Sequence, residues 1–151
     1  MSFKLSQRSL DKLEGVHPDM VKCVKSAIEY TKVDFGVICG MRTEEEQKEL
    51  VAKGASKTMR SKHLTGHAVD LMAYVGSRAS WELNLYDDIA DAIRVGAVIE
   101  GVDVTWGGAW HKTLNDWRGS AHDLMNEYID LRRSQSRKPF IDGPHFQIEI
   151  N

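Results

Sequence analysis

The sequence has 151 residues, 42% hydrophobic and 28% charged, which suits one soluble globular domain with a single core. Its 20 basic and 22 acidic residues give a formal net charge of −2, which argues against a general nucleic-acid binder. No stretch is long and apolar enough for stable membrane insertion. A local basic patch remains open at Arg132, Arg133, Arg137 and Lys138, although such runs usually form the solvated end of a helix.

The N-terminus and the two cysteines bear on where the chain is made. The first residues include no apolar stretch that could serve as a signal peptide, so synthesis in a cytoplasm is expected. Cys23 and Cys39 each lie in an apolar pattern, which indicates small buried side chains rather than a disulfide framework.

The first half of the chain predicts two helices and two strands. A proline suited to a first turn and an apolar stripe at helical spacing predict a helix over 18–30. The apolar run 35–39 predicts a buried strand. A capping-box pattern opens a helix over 43–53, and a loop follows at 54–59. The alternating segment 67–72 predicts a second strand.

The second half predicts two more helices and two more strands. Ser80 can cap a helix that runs to about Glu100, with an inner stripe at helical spacing. That stripe consists of Leu83, Tyr86, Ile89, Ala90, Ile93 and Ala97. Segment 102–106 predicts a strand that two glycines end. Segment 118–133 predicts a helix, and segment 145–150 predicts a half-buried terminal strand. Helices that precede and interrupt a few strands indicate an α+β class with a mostly antiparallel sheet.

Two histidines and an aspartate form a candidate metal site. His63 stands just before the second strand, Asp70 lies within it, and His145 begins the last strand. Two imidazoles and one carboxylate suit catalytic zinc and leave a coordination position open. Asp142 lies three residues before His145, close enough to handle a proton without being a ligand.

The segment from Ser61 to Asp70, Ser-x-His-x-x-x-x-x-x-Asp, followed late by Asp-x-x-His, resembles a family of zinc peptidases. This is the D-alanyl-D-alanine carboxypeptidase and L-alanyl-D-glutamate endopeptidase family, whose members cut peptidoglycan stem peptides. The segment from Arg42 to Gln47 also resembles the Arg-x-x-x-x-Gln element of the family. The resemblance covers the chain from about Phe35 to the C-terminus and is poor over residues 111–138.

The resemblance implies a role for each matching residue. His63, Asp70 and His145 match the zinc ligands, Asp142 matches the catalytic carboxylate, and Arg42 matches the residue that stabilises an oxyanion or a substrate carboxylate.

Three further residues match substrate contacts of the family. They are Gln47, Ser61 and Trp106, of which Trp106 belongs to a Trp-Gly-Gly wall of the cleft. Ala109 replaces the aspartate that the family has in this wall, so any role of that side chain is absent here.

The remaining histidines fit structural or surface positions. His67 has the i, i+4 spacing to His63 that binds zinc on a helix, but the strand pattern after Gly66 points it away from Asp70. His17 and His122 lack a partner pattern. His111 lacks one too, but it follows the Trp-Gly-Gly wall and could line the cleft.

The resemblance implies that residues 1–151 form one zinc peptidase catalytic domain. Within the family, the short chain favours a phage endolysin that cuts the L-alanyl-D-glutamate bond. Such an enzyme would be a monomer, be made in the host cytoplasm and act on the periplasmic wall after release. Two alternatives stay open: a D-alanyl-D-alanine carboxypeptidase or dipeptidase, and a zinc-holding binding module without catalysis.

Overall fold

The fold is an antiparallel sheet with helices packed around it, seen in a computed structural model that describes residues 3–56 and 58–149. The helices of the described residues span Gln7–Lys12 (α1), Pro18–Tyr30 (α2), Glu44–Ala52 (α3), Leu83–Glu100 (α4) and Ala121–Ser134 (α5). The strands span Asp34–Cys39 (β1), Ala68–Val75 (β2), Arg78–Ser80 (β3), Val104–Trp106 (β4), Ala109–Thr113 (β5) and His145–Ile148 (β6). The predicted α+β class with an antiparallel sheet is therefore confirmed.

The order of strands in the sheet is β1-β2-β6-β4-β5, and β3 pairs with the distal half of β2. All the pairings are antiparallel. The last strand therefore enters between β2 and β4, which are far apart in sequence. This order places the start of β6 directly beside the middle of β2, and the candidate metal site lies at that point.

The core lies between this sheet and the long helices α2 and α4. The two helices approach closely at Gly96, where a Cβ atom would stand 2.5 Å from the carbonyl oxygen of Cys23. Helix α2 starts at Pro18 as predicted, and the imidazole Nδ1 of His17 caps it by accepting a hydrogen bond from the N–H of Asp19. Helix α3 has the predicted capping box, formed by Thr43 and Glu46.

The start of α4 differs from the prediction. Ser80 belongs to β3, where it pairs with Ala73 of β2, and its hydroxyl accepts from the N–H of Glu82. The helix therefore begins at Leu83, whose side chain is exposed rather than part of the inner stripe. The other five residues of that stripe are buried as predicted. The short strand β3 extends the sheet and includes Ser80, the residue predicted to cap the helix.

Three short elements escaped prediction, namely α1, β3 and β5. Each has six residues or fewer and shows neither a helical stripe nor an alternating or apolar run. Helix α5 starts at Ala121 rather than at residue 118, because Ser120 caps it through the N–H of Asp123. The predicted final strand ends at Ile148, and the predicted strand position 150 lies outside the described residues. Within the described part of the chain, no helix has the length and apolar character to cross a membrane.

Candidate metal centre

The sheet brings together the three residues predicted to hold a metal. Asp70 of β2 lies directly opposite His145, the first residue of β6, in the antiparallel register. His63 lies in a 3-10 turn, Lys62–Thr65, that leads into β2. Both imidazoles are almost fully buried, with 2% of His63 and 8% of His145 exposed. The three side chains thus meet at one point under the surface.

The distances from Asp70 to the two histidines are close to those between ligands of a tetrahedral metal ion. Asp70 Oδ1 lies 3.3 Å from His63 Nε2 and 3.1 Å from His145 Nδ1. Ligand atoms bound about 2.1 Å from a tetrahedral ion lie roughly 3.4 Å from one another. Each histidine nitrogen therefore stands at nearly the separation from Asp70 Oδ1 that two ligands of such an ion require.

Each imidazole is oriented by a hydrogen bond at its other nitrogen. His63 Nδ1 donates to the carbonyl oxygen of Gly40 at 2.8 Å, and His145 Nε2 donates to Oε1 of Gln147 at 2.8 Å. These bonds leave His63 Nε2 and His145 Nδ1 as the nitrogens that face Asp70, the positions from which each ring could bind a metal. Metal-binding histidines are commonly oriented in this way. The donor set and its hydrogen bonds therefore fit a divalent metal such as zinc.

The turn that carries His63 is fixed by two local features. The hydroxyl of Ser61 accepts from the N–H of His63 and caps the 3-10 turn. Gly66 ends the turn with a φ of 76°, a conformation that a side chain disfavours. A Cβ atom there would also stand 2.5 Å from the carbonyl oxygen of Gly15. Glycine is thus needed at position 66 to bring the loop histidine to the strand aspartate.

The turn before β6 is attached to the end of β4. The N–H of Asp142 donates to the carbonyl of Gly107, and the N–H of Gly107 donates to the carbonyl of His145, both at 2.8 Å. The indole of Trp106 adds a bond from Nε1 to the carbonyl oxygen of Gly143 at 2.7 Å. These backbone contacts fix Asp142 next to the metal triad.

Asp142 stands beside the triad as a second carboxylate. Its carboxylate lies in a group with Asp70 and His145 whose ligand atoms are all within 4.8 Å of one another. Burial and the nearby charge of Asp70 raise the pKa of Asp142. A carboxylate with a raised pKa is suited to accept and return a proton near neutral pH.

Arg42 lies on the other side of Asp70, after β1. Its Nη2 is 3.9 Å from Asp70 Oδ2 and donates to Cys39 Sγ at 3.3 Å, while its Nη1 donates to Gln47 Oε1 at 2.7 Å. The guanidinium is thus held next to the triad by two side chains. Cys39 also approaches His63, but at Nδ1, the nitrogen that faces away from Asp70.

Two predicted substrate contacts are buried in this structure. Gln47 is 0% exposed, and its amide nitrogen donates to Ser56 and to the carbonyl of Thr58. Trp106 is also 0% exposed, in the core under the Asp142 turn. In this structure Gln47 contacts Arg42 and Trp106 contacts the turn, while a substrate contact of either side chain stays a prediction. Ser61 is half-buried and caps the turn of His63.

The other histidines have partners outside the triad. The His67 ring stacks on the His17 ring with centroids 5.4 Å apart, and its Nδ1 lies 2.5 Å from Thr65 Oγ1. His122 pairs with Asp87 on α4. His111 pairs with Glu127 on α5, a partner that the sequence pattern did not predict.

Two residues near the triad were not predicted as site residues, although Trp110 ends the segment that resembles the cleft wall. Gln147 orients His145 and lies two residues further along the same strand face, so the period of two in β6 could have indicated it. Trp110 packs against the His145 ring with centroids 5.4 Å apart. It lies in β5, a strand that the sequence pattern did not predict.

The metal-free triad should make stability depend on pH. Burial alone lowers the pKa of His63, but hydrogen bonds to Asp70 and Cys39 outweigh it and raise that pKa to about 10. The hydrogen bonds of Asp70 to both histidines likewise outweigh its burial and lower its pKa from 3.8. The charged pair therefore stabilises the fold fully between pH 3.8 and 6.5, where the unfolded groups carry the same charges.

We expect the melting temperature of the metal-free protein to fall as pH rises from 6.5 towards 10, because unfolding then releases the proton of His63. Thermal unfolding in the presence of a chelator measures this. In a His63→Gln variant the slope should be smaller. A melting temperature that rises over this range would contradict the pairing.

A buried group of metal-ligand side chains with a second carboxylate beside it is an arrangement that suits a metal-dependent hydrolase. The profile of the phage L-alanyl-D-glutamate peptidase family matches residues 1–149, nearly the whole chain. The chain therefore belongs to this family, and the resemblance seen in its motifs is confirmed.

Named relatives agree with the family assignment. The L-alanyl-D-glutamate peptidase of Escherichia phage T5 is 28% identical over 127 residues, which cover 82% of this chain and 89% of that protein. A peptidase of the same name from a Listeria phage is 36% identical over 109 residues, 68% of this chain and 37% of that protein. The crystal structure of the Serratia marcescens L-Ala D-Glu endopeptidase ChiX superposes with a TM-score of 0.72 at 37% identity, covering 97% of this chain and 90% of that one.

Proposed function

We propose that this chain is a zinc-dependent endopeptidase that cuts the L-alanyl-D-glutamate bond of peptidoglycan stem peptides, as a phage endolysin. The observation that carries the proposal is the triad of His63, Asp70 and His145, with Asp142 next to it and both imidazoles oriented from outside. The peptidase names of the relatives and the family match support the bond. All of these residues come from one chain, so a monomer suffices.

The chemistry divides among the metal and the residues around it. Two imidazoles and a carboxylate are a ligand set that suits zinc, which when bound polarises a carbonyl and lowers the pKa of water. Asp142 accepts a proton from the attacking water and returns it to the leaving amine as the C–N bond breaks. Arg42, held by Gln47 and Cys39, is placed to donate to a negatively charged substrate oxygen, either the developing oxyanion or the carboxylate beside the cut bond.

The products of digestion test the bond. Purified Gram-negative peptidoglycan treated with the zinc-loaded protein should release free stem peptides that begin with D-glutamate. Mass spectrometry of the soluble fraction identifies them, and the same digest with a chelator should release none. A carboxypeptidase would release D-alanine and leave the stems on the glycan. If D-alanine is the sole product, the endopeptidase assignment fails while the zinc peptidase stands.

As an endolysin, the protein would be made in the host cytoplasm and would reach its substrate only after release into the periplasm.

A further inference from the structure

A cavity of about 360 Å³ lies next to the metal centre, between β5 and α5. Its walls include Trp110, His111, Leu131, Arg132 and Phe140. Trp110 connects the cavity to the centre, because its ring packs against that of His145. The near wall of the cavity therefore borders the side chains that would hold the metal. This volume falls in the range of small-molecule sites.

The cavity combines an apolar surface with unpartnered polar atoms. The rings of Trp110 and Phe140 stack with centroids 6.0 Å apart, and Phe140 is 55% exposed. Arg132 Nε and His111 Nδ1 are buried without a hydrogen-bond partner among the described residues. His111 Nε2 donates to Glu127 at 2.9 Å, which leaves Nδ1 as an acceptor. Buried polar atoms without partners are uncommon, and each calls for an explanation.

The unpartnered donor and acceptor suit a secondary amide. The N–H of Arg132 can donate to an amide oxygen, while His111 Nδ1 can accept from an amide N–H. A small shift of side chains, of the kind common on binding, would open both atoms to a ligand. The exposed aromatic face would cover an apolar ring or methyl group. An N-acetylated sugar presents these features together.

The sheet order indicates which side of the substrate reaches the cavity. Arg42 follows β1, the cavity adjoins β5, and Asp70 and His145 on β2 and β6 lie between them. The D-glutamate side of the scissile bond carries a free carboxylate, which suits Arg42. The L-alanine side leads through uncharged groups to the N-acetylmuramyl sugar. The aromatic cavity suits that side.

We propose that the cavity formed by Trp110, His111, Arg132 and Phe140 is a subsite for the N-acetylated amino sugar that carries the stem peptide. The inference rests on the proposed function, because it assigns one side of the cut bond to the cavity. The enzyme then recognises the sugar to which the peptide is attached as well as the peptide itself.

Two soluble substrates with the same scissile bond test the subsite. N-acetylmuramyl-tetrapeptide and the free tetrapeptide release the same D-glutamyl tripeptide, so mass spectrometry gives kcat/KM for both. The zinc-loaded wild type should prefer the muramyl substrate. Arg132→Gln should reduce that preference about tenfold, the scale of one hydrogen bond to a charged group. Phe140→Ala should reduce it by a similar factor of about ten, because it removes the stacking face.

Arg133→Gln is the matched control. It removes the same charge from the next position of α5, but Arg133 is exposed and does not line the cavity. Its ratio of kcat/KM values should equal that of the wild type. Equal effects of Arg132→Gln and Arg133→Gln on the ratio would indicate a diffuse basic patch and overturn the subsite. Melting temperatures show whether each variant is folded.

A third substrate, N-acetylmuramyl-dipeptide, separates the two sides of the bond. Two ratios of kcat/KM are compared in Arg132→Gln: muramyl-tetrapeptide over muramyl-dipeptide, and muramyl-tetrapeptide over free tetrapeptide. If the variant lowers the first ratio and leaves the second unchanged, the cavity binds the peptide side and the proposal is wrong. Equal losses on all substrates, or a wild type with no preference for the sugar, would also overturn it. Failure of the wild type to cut any of them would instead contradict the proposed function.

Discussion

His145→Ala should yield a folded protein that has lost its zinc and lowered its peptidase activity by roughly 10³-fold or more, because bound zinc contributes several kcal/mol to transition-state stabilisation. In the proposed site His145 is one of three protein ligands, and its Nδ1 lies 3.1 Å from Asp70 Oδ1. Metal analysis of protein purified without added metal measures the zinc, and release of stem peptides measures the activity. His63→Ala should behave in the same way.

The matched control is His67→Ala, four residues from His63. The His67 ring stacks on His17 and bonds to Thr65, away from the triad. The variant should therefore keep one zinc per chain and stay within a factor of about three of wild-type activity, as for most surface substitutions. Loss of zinc from His67→Ala, or one full zinc per chain in His145→Ala, would show that the ligand set is wrong.

The triad could be predicted from sequence because its residues follow periodic elements. The strand pattern after Gly66 places Asp70 on one face of β2, and the alternation from His145 onward predicts β6. These two strands pair with Asp70 opposite His145, and this pairing joins residues that are far apart in the sequence. The periodicity of a strand does not specify its neighbour. The family motif provided this information, since its residue types occur together only when the strands are adjacent.

The surroundings of the triad were less predictable. Gln47 and Trp106 match polar and aromatic contacts of the family, but the sequence does not show that both are fully buried. Trp110 came from a five-residue strand at the edge of the sheet, which has no clear alternation. His111 forms a hydrogen bond with Glu127, which lies sixteen positions away on α5. Contacts of this kind depend on how α5 packs on β5, which local pattern does not determine.

Asp142→Asn should fold and keep its zinc but lose activity by about 10²-fold or more, the scale of a general acid–base group. The amide has nearly the same shape and cannot accept the proton. The turn should survive, because the N–H of Asp142 bonds to Gly107 and its carbonyl accepts from the N–H of His145, and both bonds belong to the backbone. Removing the charge also removes repulsion from Asp70, which helps to raise the pKa of Asp142 in the wild type.

The pH profile distinguishes a proton-transfer role from a merely structural one. Wild-type kcat/KM should fall as pH decreases through the raised pKa of Asp142, since the base must be ionised to accept a proton. That acid limb should disappear from the residual activity of Asp142→Asn. The control is Glu149→Gln, because Glu149 is an exposed carboxylate that bonds to Lys62 and Gln147. If Asp142→Asn retains wild-type activity and Glu149→Gln does not, the proton is handled by Glu149 and Asp142 has no part in the chemistry.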